Sequence, residues 1–138
     1  MSKMQNGITG GCACGASRYV LSSAPLHSMI CHCKSCRKSA ASPVVAWITF
    51  KADHYRIKGE EIGVFQSSEK VKRTFCKHCG TPLTYAHDER PGEIDITTCS
   101  LDDPDQYPPL NHSWLSHDLE WVIFADLLPK YKKFSVDS

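Results

Sequence analysis

A mostly extended, metal-stapled fold of short strands is predicted for this chain of 138 residues, on three observations. Short runs of β-branched and aromatic residues alternate with glycine- and proline-bearing turns. All of the eight cysteines except Cys99 stand in tight groups, Cys12/Cys14, Cys31/Cys33/Cys36 and Cys76/Cys79. The length suits one domain, residues 1–138, large enough for a core yet small enough that metal would help to hold it.

Residues 1–6 are a loose arm, after which Gly10-Gly11-Cys12-Ala13-Cys14-Gly15 turns sharply before a strand over Ala16 to Ser22. Lys34 to Ala41 is a short helix. Val44 to Phe50, Tyr55 to Lys58 and Val64 to Ser67 are strands, with Gly59 and Gly63 as punctuation. Val71 to Phe75 alternates apolar with basic residues and leads one face inward, and Leu83 to Ala86 is its hairpin partner. Arg90-Pro91-Gly92 turns into a half-buried strand over Glu93 to Thr98, which ends at Cys99. Leu101-Asp102-Asp103-Pro104 is a loop or a single helical turn whose carboxylates serve solvation and capping. Trp114, Trp121, Val122, Ile123 and Phe124 are expected to cover the sheet, and 132–138 is a tail.

A formal net charge of +1 gives no basic field to hold nucleic acid. No apolar run approaches the length of a membrane span, and the first residues lack the apolar centre of a secretion signal. The expectation is a cytoplasmic chain, where reduced cysteines serve metal or catalysis rather than disulfides.

Cys31-His32-Cys33-Lys34-Ser35-Cys36-Arg37-Lys38 is the densest chemistry in the sequence. Thiols at i, i+2 and i+5 flanked by three cations make neither an apolar strand nor an apolar helix face. They can converge on one Zn²⁺, and no fourth thiol lies nearby to close a tetrahedron. Spacing alone allows a site completed by a distant Cys or His, or one with an open position. Cys12 and Cys14 precede Gly15, as Cys76 and Cys79 precede Gly80, and the two matched pairs can make a closed four-sulfur site. Two sites of different kind follow, one structural and one working.

GGCACGASRY, CHCKSCRKS, FCKHCGTPL, LDDP and His112-Ser113-Trp114 with Trp121 occur in this order, and the chain so resembles the glutathione-dependent formaldehyde-activating enzyme family over about residues 7–131. That family also contains centromere-protein-V-like relatives. The resemblance implies an all-β tent fold of short antiparallel sheets stapled by zinc, with minor short helices. It implies a structural zinc at Cys12, Cys14, Cys76 and Cys79, and a catalytic zinc at Cys31, Cys33 and Cys36 with an open position, so two zinc ions per chain. The implied activity is that of a carbon–sulfur lyase joining glutathione and formaldehyde into S-hydroxymethylglutathione. One departure is Ser-Ala-Ala-Ser-Pro after Arg37-Lys38, where the family carries a glycine-bearing turn.

A three-thiolate zinc is coherent with this chemistry, since a coordinated thiol is deprotonated and the metal can polarise an aldehyde. Lys34, Arg37 and Lys38 are candidate substrate-binding residues for the carboxylates of glutathione, with Arg73 a further cation to consider. His32, between two ligands, points away from them and packs or supports them. His112 is a satisfied core residue, and His78 is exposed. Cys99 is expected to be a buried small residue, against a fourth ligand or a redox thiol. Two other readings are a non-catalytic zinc-stapled binding module and an enzyme resembling the B-type methionine sulfoxide reductases. The latter lacks the Arg and Asn expected around its nucleophile and leaves the Cys31 group without a role.

Overall fold

A computed structural model of the protein describes residues 7–59 and 61–134. The expected arm and the last four residues of the expected tail lie outside them. Three strands, β1 (Ile8–Gly11), β2 (Arg18–Leu21) and β5 (Tyr55–Lys58), form a small antiparallel sheet in the order β1-β2-β5. The remaining strands are β3 (His27–Cys31), β4 (Val45–Lys51), β6 (Ile62–Ser68), β7 (Val71–Cys76), β8 (Pro82–His87), β9 (Glu93–Thr97) and β10 (His112–Ser113). They form a seven-stranded sheet, β10-β3-β4-β9-β8-β7-β6, in which only the β10–β3 pair is parallel. One α-helix among the described residues, α1 (Lys34–Ala40), links β3 to β4. The all-β expectation holds, and both sheets are open rather than closed into a barrel.

The core follows from the two faces of β4, the most continuously apolar strand. Ile48 and Phe50, fully buried, join Tyr19, Leu21, Leu83 and Ile96 in a cluster that includes residues of both sheets. Each such side chain contributes about 1.5–3 kcal/mol by leaving water. Val45 and Trp47 join Met29 and the Cys31 group in a second cluster on the opposite face. One face of the large sheet thus carries the core and the other the site.

β1 was not expected, because two of its residues are glycines of poor strand propensity. Gly10 is there for close approach: a Cβ on it would lie 2.4 Å from the Tyr19 hydroxyl. Gly63, expected between strands, lies within β6 opposite Phe75. In β7 the inward face carries Arg73 beside Val71, since residues two apart share a face. The β7–β8 register skips Leu83, and this bulge sends Leu83 into the core while Tyr85 remains on the site face.

The C-terminal expectation is corrected in part. Trp121 and Ile123 are 70% and 85% exposed, because the extended segment alternates and turns Val122 and Phe124 inward instead. Cys99, expected to be buried, is exposed on the short 3-10 turn after β9. Asp102 does more than solvate: it accepts from Arg18 on β2 and from Thr9 on β1 at 2.7 Å, tying the loop to the small sheet. No helix among the described residues is long and apolar enough to cross a membrane.

Candidate metal centres and the adjoining cavity

The first cysteine group forms where two turns meet. Cys12 directly follows β1 and Cys76 ends β7; Gly15 and Gly80 follow with φ of +83° each, the left-handed conformation that glycine tolerates. Gly15 N–H donates to Cys12 O, three residues back, and Gly80 N–H to Cys76 O, four back, while Cys12 N–H to Ser17 O and Cys76 N–H to Thr81 O, each five residues on, close both turns in the same way. Ser17 N–H donates to the Cys12 sulfur at 3.3 Å, and Ala13 N–H to Thr81 Oγ1 joins the turns to each other. The sulfurs of Cys12, Cys14, Cys76 and Cys79 all lie within 4.8 Å of one another, the first and third being buried. Sγ separations of 3.5 Å for Cys12–Cys14 and 3.9 Å for Cys14–Cys76 match the edge of about 3.8 Å that a tetrahedron of 2.3 Å metal–sulfur bonds requires. They are far too long for disulfides, and this donor set could hold a metal ion compatible with zinc.

The second group is built by the passage from strand to helix. Cys31 ends β3, Cys33 is the N-cap of α1 and accepts from Cys36 N–H at 3.2 Å, and Cys36 lies one turn later. All three are buried, and their sulfurs too lie within 4.8 Å of one another. Hydrogen bonds from Cys31 and Cys36 hold the Cys33 thiol down at about 2. Sharing with Cys33 and Cys36, then burial, pushes Cys31 far up. Three ionised sulfurs cannot stand this close without a cation, and a divalent ion would supply it. No fourth Cys, His or carboxylate among the described residues joins the group, Cys99 included.

A cavity of about 50 Å³ lies against these sulfurs, walled by Met29, Trp47, Tyr85, Asp95, Ser113 and Trp114 among others. It would hold about three to five water-sized groups. A second, wider cavity of about 420 Å³ shares Cys33, Tyr85, Trp114 and Phe134 with it and is lined further by Lys34, Ser35, Lys38 and His117. Two of the expected cations, Lys34 and Lys38, therefore border the outer space. Arg37 does not line that space: its guanidinium donates to His32 O at 3.2 Å and to His117 O at 2.8 Å and so fastens the loop.

Arg73 is expected from the sequence only as a further cation for the ligand, and its neighbours around the site are not expected at all. Arg73, Tyr85, Asp95 and Thr49 are cross-strand neighbours in one row. Asp95 is buried, accepting from Thr49 at 2.5 Å and from Arg90 at 2.7 Å. Arg73 stacks over Tyr85, 4.9 Å from its centroid. Trp114 holds a left-handed backbone, φ 59°, which is costly for a bulky side chain and is stabilised by its N–H bond to Lys133 O and by Phe134 against its ring. The expected strand alternation marks Tyr85 and Asp95 as possible inward residues, but nothing in the sequence pairs them.

His32 is not in either sulfur group. Its Nε2 lies 2.9 Å from His112 Nδ1, and His112 Nε2 lies 3.0 Å from Asp126 Oδ2. The carboxylate makes His112 Nε2 the donor, so its Nδ1 accepts from His32. This buried chain fixes the residue between Cys31 and Cys33, in the supporting role expected of it, while His78 is exposed.

The family model described as glutathione-dependent formaldehyde-activating enzyme matches residues 7–117. A protein of Schizosaccharomyces pombe named as an uncharacterized lyase is 32% identical over 78 residues, 56% of this chain and 56% of that protein. The match thus spans little more than half the length of that relative. A crystal structure of a Rhodobacter sphaeroides protein superposes with a TM-score of 0.57 at 20% identity, over 90% of this chain and 99% of that one, a likeness of fold alone.

Proposed function

Because the chain belongs to the glutathione-dependent formaldehyde-activating enzyme family, we propose that it is a zinc-dependent, lyase-like enzyme that makes or breaks the carbon–sulfur bond between a small thiol and a small aldehyde. Glutathione and formaldehyde, giving S-hydroxymethylglutathione, are the first pair to test. The observation that carries this reading is a pair of cavities with lining residues in common: a small one on the three sulfurs and a wide one bordered by lysines.

Zinc held by Cys31, Cys33 and Cys36 would supply a Lewis-acidic centre with a position for a ligand. The other residues then have separable tasks. Trp47, Tyr85 and Trp114 wall the inner space and exclude water, and its size suits an aldehyde of a few heavy atoms. Lys34 and Lys38 bind the carboxylates of the thiol in the outer space. In the cleavage direction the C–S bond breaks with its electron pair left on sulfur, while the hydroxyl proton departs and the C=O bond forms. Cys12, Cys14, Cys76 and Cys79 hold a structural zinc. Eight reduced cysteines suit a reducing compartment such as the cytoplasm.

The test compares glutathione with S-methylglutathione by calorimetry on zinc-loaded protein, then follows adduct formation with formaldehyde by NMR above the spontaneous rate. Thiol-dependent binding with a faster reaction is the expected result. Equal binding of both compounds sinks recognition through sulfur. Tight thiol binding without acceleration keeps the site and removes formaldehyde, and no binding at all favours a non-catalytic module.

A further inference from the structure

Arg73 is only 7% exposed, and the partners of its guanidinium are not carboxylates. Nε donates to Ser67 Oγ at 3.0 Å, one terminal nitrogen to Ser35 Oγ at 3.4 Å, and both terminal nitrogens to Cys36 Sγ at 3.7 and 3.6 Å. Tyr85 covers one face of the group. A buried guanidinium needs a counter-charge, and the sulfur of Cys36 is the group placed to provide it. Hydroxyls and a ring solvate the cation without neutralising it.

We propose that Arg73 decides which kind of ligand the Cys31 site accepts: by balancing thiolate charge through Cys36, it admits an anionic thiolate in preference to a neutral donor. This rests on the reading of Cys31, Cys33 and Cys36 as holding a zinc ion with one position to spare. Three thiolates and a dication sum to a formal charge of minus one. Arg73 brings the site to neutrality, the nearby Asp95 being paired with Arg90, so a thiolate lowers it only to minus one. Without Arg73 the same ligand would make minus two, the charge of a four-thiolate site such as the Cys12 group, but there two of the four cysteines are exposed whereas all three here are buried, and burial disfavours that charge. Lys34 is exposed and so is Lys38, so solvent screens them from the sulfur and they act on the far end of the ligand. Arg73 is a positioning residue, acting through Cys36.

The experiment uses full-length protein loaded with zinc and two ligands that make no use of the lysines. 2-Mercaptoethanol is a thiol without a carboxylate, and imidazole is a neutral donor. By calorimetry the wild type should bind the thiol with release of one proton, seen as a heat that varies with the buffer's ionisation enthalpy. Arg73→Gln should weaken the thiol about tenfold or more while leaving imidazole within about threefold. Arg73→Lys, which keeps the charge, should recover most of the loss. Ser35 is exposed, so Ser35→Asp can neutralise Arg73 in place and carries the test should Arg73→Gln fail to fold, with Ser35→Asn as its uncharged control. Equal weakening of both ligands, or undiminished thiol binding, overturns the role of Arg73 while leaving the open site intact. A wild type that binds neither ligand overturns the open-site reading and this proposal with it.

Discussion

Asp102 and Asp95 each pair with an arginine, yet their carboxyls move in opposite directions. Hydrogen bonds from Arg18 and then Thr9 hold half-exposed Asp102 down at about 2, whereas burial pushes Asp95 up against the pull of Arg90 and Thr49. For Asp102 the folded value lies below the ordinary 3.8. Its stabilising contribution is therefore complete above that value and is lost as pH falls through about 2. Solvent screening limits it, and Asp102→Asn should cost about 0.5–1 kcal/mol at neutral pH. Urea titrations should show the two proteins converging between pH 4 and about 2; a gap that persists at the acid end would assign the contact to geometry instead of charge. The cysteine partition was legible at this scale because thiol spacing constrains metal geometry directly. Arg73 was legible only as a cation, since its burial depends on sharing a strand face with Val71.

At the level of elements, α1 ends on Ala41, which adopts the left-handed conformation with φ 51° and gives its N–H to Arg37 O and Lys38 O. Glycine is the usual residue there, and its absence was visible in the sequence as a departure from the family's turn. The consequence is local backbone strain. Ala41→Gly should raise stability by about 0.5–1 kcal/mol, measured by urea unfolding, and a loss of stability would show that Ala41's methyl group packs usefully. Strands with strong alternation, from β4 to β9, were legible near their true bounds. β3 and β10 were not: β3 mixes His, Ser, Met, Ile and Cys, and β10 is two residues long. Their pairing is made by register and long-range bonds, such as Ile30 N–H to Asn111 O, which no local pattern encodes. The row from Arg73 to Thr49 is illegible in the sequence for the same reason, as each member belongs to a different strand.

Across the whole molecule, the two sulfur groups answer to opposite faces of one sheet. Cys12 and Cys76 are part of the core shared by both sheets, while Cys31, Cys33 and Cys36 belong to the cluster behind them. Damage to the two should therefore have unlike effects. Cys76→Ser should lower the melting temperature by roughly 10 °C or more, whereas Cys36→Ser should retain the fold and lose one of two zinc ions on elemental analysis. Equal collapse of both variants would make the Cys31 group structural as well. The parallel strand β10 gives this plan an order in time. His112 follows His32 by 80 positions, and its neighbours Ser113 and Trp114 supply a wall of the inner cavity only after the loop they cover has long been synthesised. A nascent chain thus presents Cys31, Cys33 and Cys36 to the solution while their cover is still being made, so a metal ion would have access to them before the cavity wall is in place.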